Sequence, residues 1–248
     1  MATALPIRSG NPVLSDTAFR GTAARTGESA MTIQGTVEKT LLALAILVVA
    51  AGYTWNQGAG NAGGMIMLGV LGGFAAAMAT TFRPTWAPIT TPIYAALEGF
   101  ALGGISIAFE ARYPGLVGQA VFLTFGTLGV LLVAYRAGVL RATDQFRRII
   151  VAATGGIMVF YLASFVLSFF GVGMPLIHGN GPMGIVFSLV VTAVAAFNLV
   201  LDFDFIERGA DRGAPKYMEW YGAFGLLVTL VWLYLEMLRL LSKLQDRR

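Results

Sequence analysis

Seven stretches of this chain, each about twenty residues long, carry almost no charge. A helix rises 1.5 Å per residue, so twenty apolar residues span a hydrocarbon core of ~30 Å. Few soluble folds can hide that much apolar surface, and the sequence is therefore read as an all-α integral membrane protein. The runs fall at residues 37–55, 62–82, 91–109, 116–135, 149–170, 183–205 and 220–241. Together they predict one seven-helix transmembrane domain over 37–244, preceded by a mobile polar cytoplasmic tail at 1–36. The tail has no apolar core of the kind a cleavable signal peptide needs.

Local chemistry punctuates the runs. The first ends on Tyr53 and Trp55, an interfacial aromatic pair. The second carries Gly69, Gly72, Gly73, Ala76 and Ala77 at spacings that let helix backbones approach closely. Arg83-Pro84 closes it, because proline cannot continue the hydrogen-bond ladder. The linker from Glu207 to Glu219 contains the breaker GADRGAP.

Composition narrows the function classes. Charged residues make up 12% of the chain, about half the ~25% of soluble domains. Cysteine is absent and His178 is the single histidine. Thiol nucleophiles and cysteine-based zinc clusters are therefore excluded, a triad or a His-rich metal site cannot be built around His178 without other ligands, no cofactor is expected, and an enzyme is not predicted. The net charge of +4 does not point to nucleic acid, since the basic residues sit mostly at the ends of apolar runs. With seven crossings, 12 Lys and Arg fall on the N-terminal side and 5 on the other. That asymmetry predicts a cytoplasmic N-terminus. The basic C-terminal end is the discordant piece and leaves the side of the C-terminus open.

Acids inside apolar runs are costly and need partners or a role. Asp202 and Asp204 end the sixth run, two residues apart, so they face different neighbours. Asp204 has Arg208 at i+4, and Glu207 reads as part of a solvated helix end. Asp202 has Ile206 there, and Arg83, ending the second run on the same side, is its candidate partner. Glu98 lies about 10 Å into the third run and is expected to face the bundle interior, hydrogen-bonded. In the last run Glu236 has Arg239 at i+3, and Thr229 lies seven residues before Glu236 on nearly the same face. Asp202, Glu98, Thr229 and Glu236 offer a series of oxygen ligands suited to a hard cation such as Ca2+ in transit, with no fixed metal site.

The order of seven runs, LDFDFI closing the sixth, YAALEGFALGGIS in the third and EWYGAFGLLVTLVWLYLEMLRLL as the last resembles the Bax inhibitor-1 family of membrane proteins, in its bacterial branch. The resemblance covers about Val37 to Leu244. It implies a helical bundle around a central C-terminal helix and a pH-sensitive Ca2+ leak. In that picture an acid closing the sixth helix pairs with an acid in the seventh beside an arginine. Asp202 matches the first acid and Arg83 the arginine. Two registers compete for the second acid: LYLE selects Glu236, whereas a gap-free match puts Thr229 there. The alternative function is a non-transporting regulator that binds a membrane protease or another membrane protein. Either reading places the chain in a bilayer, with the bacterial inner membrane as the expected location.

Overall fold

The computed structural model describes residues 29–171, 179 and 181–247. The tail up to residue 28 and His178 lie outside them. Among the described residues the regular elements are all helices, apart from one isolated bridge between Ala30 and Pro215. The helices are α1 (Ile33–Gln57), α2 (Ala59–Phe82), α3 (Ala87–Arg112), α4 (Leu116–Arg136), α5 (Asp144–Ser168), α6 (Pro182–Asp211) and α7 (Met218–Gln245). All seven are long and apolar enough to cross a membrane. The last is a single unbroken helix of 28 residues.

Burial is uneven. In the most apolar windows of α2, α4 and α5 only 17% of residues are buried, against 61% in α6 and 67% in α7. These three less buried helices carry large exposed apolar side chains such as Phe74, Phe122 and Phe165, which is the surface a lipid contact requires. The hydroxyls of Thr40, Thr54, Thr124 and Thr192 each donate to the carbonyl four residues back. This satisfies them without a partner from another helix.

The helices divide into two units. One holds the described residues of Pro12–Arg112 together with Asp202–Val228. In it, α3 runs close to both its neighbours because glycine faces backbone. A Cβ at Gly99 would meet the Leu47 carbonyl and lie 2.7 Å from Ala50 Cβ, and one at Gly69 would lie 2.6 Å from the Ala101 nitrogen. Since backbone cannot give way, Gly99→Val should cost about 1–3 kcal/mol or more. The check is a thermal melt in detergent, and an unchanged midpoint would count against this packing. Tyr94 meets Phe224 edge-on at 4.9 Å, and Thr91 Oγ1 donates to the Trp220 carbonyl at 3.2 Å.

The other unit contains the described residues of Tyr113–Leu201 and Thr229–Arg248. Here Asn198 Nδ2 donates to Thr154 Oγ1 at 2.8 Å, and Phe146 meets Phe197 edge-on at 5.7 Å. Ile150, Leu201 and Ala142 form a small buried cluster beside them.

The last two helices run on well past the ends of their apolar runs. The sixth helix continues past Phe205 to Asp211, because the Asp204–Arg208 pair extends it. It ends near Gly213, whose φ of 63 is a left-handed value that glycine adopts without steric penalty. The seventh continues past Leu241 to Gln245, which brings Lys243 into the helix.

Candidate functional site

Asp202 is fully buried. Because α6 ends at Asp211, it lies nine residues inside the helix, about 13 Å from that end, rather than at a helix terminus. Two residues on, Asp204 accepts from Arg208 Nε at 3.0 Å, one helical turn away. Glu207 is exposed.

Arg83 lies just past the end of α2, at its C-cap and before Pro84. Its guanidinium is 5.2 Å above the Trp86 ring and the residue is exposed. Among the described residues it makes no ion pair. The structure therefore corrects the expected Asp202–Arg83 pair. The cation is held at the surface by an aromatic face, and the acid is enclosed.

Glu98 is half-buried. Since α3 begins at Ala87, Glu98 sits eleven residues in, about 16 Å, deeper than the apolar run suggested. Tyr94, one turn earlier, is its polar neighbour. Its carboxylate lies against Gly73 of α2, where a Cβ would come 3.1 Å from Oε1.

In the same unit the structure places a carboxylate that the sequence hid among linker charges. Glu219 is fully buried in the first turn of α7. Its Oε1 accepts from the Thr32 amide at 3.0 Å and the Thr32 hydroxyl at 2.9 Å, with Lys216 Nζ at 2.8 Å. Lys39 Nζ stands 3.8 Å from Oε2. Thr32 is the N-cap of α1, its own oxygen taking the Gly35 amide, so the acid of one helix neutralises the positive end of another. Just before it, the Met31 amide bonds the Ala214 carbonyl at 2.6 Å.

Thr229 and Glu236 fall in the second unit, both buried. Glu236 Oε1 accepts from Tyr161 at 3.0 Å and from Arg239 at 2.7 Å. The same Arg239 nitrogen donates to the Tyr161 hydroxyl at 2.6 Å, and its guanidinium lies 5.1 Å over the Tyr161 ring. The i+3 spacing pointed to the Glu236–Arg239 pair. Nothing local in the fifth run marked Tyr161, which closes the triangle. Glu236 Oε2 is buried with no hydrogen-bond partner among the described residues. Seven residues on, Lys243 is buried and donates to the Gly184 carbonyl at 3.1 Å and to Ser188 Oγ at 2.9 Å. Its place on the Glu236 face was legible as i+7 once the helix was known to continue.

Buried acids and a buried lysine on membrane-length helices define a multi-pass helical membrane protein. The chain matches the family model described as Bax inhibitor 1 like over residues 11–246, which takes in all seven helices, and it belongs to that family. No curated protein and no solved structure matches it.

Proposed function

We propose that this protein is a pH-sensitive cation leak that passes Ca2+ across the bacterial inner membrane, with its N-terminus in the cytoplasm. The observation that supports this most directly is Asp202, a fully buried acid well inside α6. A carboxylate at such a depth is costly unless it binds a proton, a donor or a cation. In this reading Asp202 is the gate acid. Glu98, in the same unit, supplies a further oxygen to an ion in transit, and Thr229 and Glu236, the latter fixed by Tyr161 and Arg239, are separate oxygen positions in the second unit. Protonation of Asp202 alters the charge that a passing cation meets, which makes the leak respond to pH.

The test is Ca2+ flux into proteoliposomes compared between about pH 6 and about pH 8. Wild type should show a pH-dependent flux. Asp202→Asn, which cannot ionise, should flatten that dependence. Identical profiles for the two proteins sink the gate. Absence of flux in wild type sinks the leak itself and leaves a non-transporting regulator, to be sought by partner capture with a membrane protease.

A further inference from the structure

We propose that Lys243 is an electrostatic barrier that sets how strongly this leak discriminates between divalent and monovalent cations; the inference rests on the leak reading above. Glu236, Arg239 and Lys243 follow one another at i, i+3 and i+7 on α7, which is one helix face. The face holds two cations and one acid. The acid is already committed to a partner, because Arg239 donates to Glu236 Oε1 at 2.7 Å. Lys243 is held differently. Both of its acceptors, the Gly184 carbonyl and Ser188 Oγ, are neutral, and among the described residues it makes no ion pair. It is only 3% exposed, and the charged groups acting on it are Arg239 and Glu236. The ammonium is therefore fixed in position without being neutralised at contact distance.

Position gives this charge its consequence. Lys243 is two residues from the end of α7 and Glu236 is nine. A cation entering from that end meets Lys243 about 10 Å before it reaches the level of Glu236 Oε2, the buried oxygen with no hydrogen-bond partner. A buried charge is poorly screened by salt. Coulomb energy is proportional to the charge of the passing ion, so the barrier height for Ca2+ is twice that for K+. Removing the charge should therefore raise divalent flux by about the square of the monovalent gain: about tenfold for K+ would mean about a hundredfold for Ca2+.

The experiment compares Ca2+ and K+ fluxes through wild type and four variants in proteoliposomes. Lys243→Gln keeps a donor for the Gly184 carbonyl and Ser188 but loses the charge. It should raise both fluxes, with the Ca2+ gain near the square of the K+ gain. Ser188→Asp supplies a carboxylate beside the ammonium and should move the Ca2+/K+ ratio in the same direction, which keeps the test decisive if Lys243→Gln does not fold. Lys243→Arg and Ser188→Ala retain the charge and should leave the ratio at the wild-type value. A conducting wild type with an unchanged ratio in Lys243→Gln or Ser188→Asp overturns the barrier while leaving the leak intact. Equal gains for both ions in Lys243→Gln and Ser188→Ala overturn it as well, since they mean that Lys243 only staples α6 to α7. No flux through any of the five proteins overturns the leak and the barrier together.

Discussion

Replacing Gly35 with alanine should lower the unfolding midpoint of the detergent-solubilised protein nearly as far as deleting the Glu219 carboxylate. An added Cβ at residue 35 would fall on that carboxylate. The group at risk is the end of a side chain, which normally swings aside at little cost. Here it cannot swing freely, because Oε1 holds the amide and hydroxyl of Thr32 and the Lys216 ammonium. Breaking a buried pair costs about 3–5 kcal/mol. The lysines are partly exposed, at 51% and 26%, which brings the expected loss to roughly 2–4 kcal/mol. The double variant Gly35→Ala/Glu219→Ala should be no less stable than Glu219→Ala alone, because the two changes remove one shared contact. Additive losses, or a wild-type midpoint for Gly35→Ala, would show that the carboxylate does not depend on this gap.

Arg239→Ala should be the most damaging single truncation in the second unit. It leaves Glu236, 1% exposed, with the Tyr161 hydroxyl as its one remaining hydrogen-bond donor. A buried acid deprived of its cation loses about 3–5 kcal/mol. The lower end applies, since the Arg239 side chain is 34% exposed. The diagnostic result is rescue: Arg239→Ala/Glu236→Gln should melt above Arg239→Ala, because the neutral amide no longer needs the cation. Arg239→Lys should restore only part of the loss, since an ammonium lacks the planar face that lies over Tyr161. A double variant less stable than the single one would rule out charge burial as the cause.

Apolar length carried most of the fold, because a bilayer-spanning helix must be apolar over a fixed distance and that demand is written locally. Helix ends were less legible. Past Phe205 the sixth helix turns amphipathic, with Glu207 and Arg208 on its surface, and such a segment looks like loop to any reading of hydropathy. The Asp204–Arg208 spacing was the local sign that it continued. Contacts between distant segments were not legible. Glu219 follows a glycine-proline breaker and reads as solvated charge; its burial comes from Thr32, 187 residues earlier. Tyr161 looks like any aromatic in an apolar run until Arg239 and Glu236 are beside it. Arg83 failed as a partner for Asp202 for a steric reason. The turn that Pro84 imposes carries it out of the helix and onto Trp86.

The capping of α1 by Glu219 also has a meaning in time. Ribosomal synthesis delivers Thr32 and Gly35 first and Glu219 only after α1 to α6 have been made. Until then the amide and hydroxyl of Thr32 have no carboxylate to bind, and the gap over Gly35 has nothing to fill it. α1 therefore waits on α7 for its N-terminal ligand. A nascent chain arrested before residue 219 carries an unfinished end, a molecular mark that distinguishes incomplete from complete product.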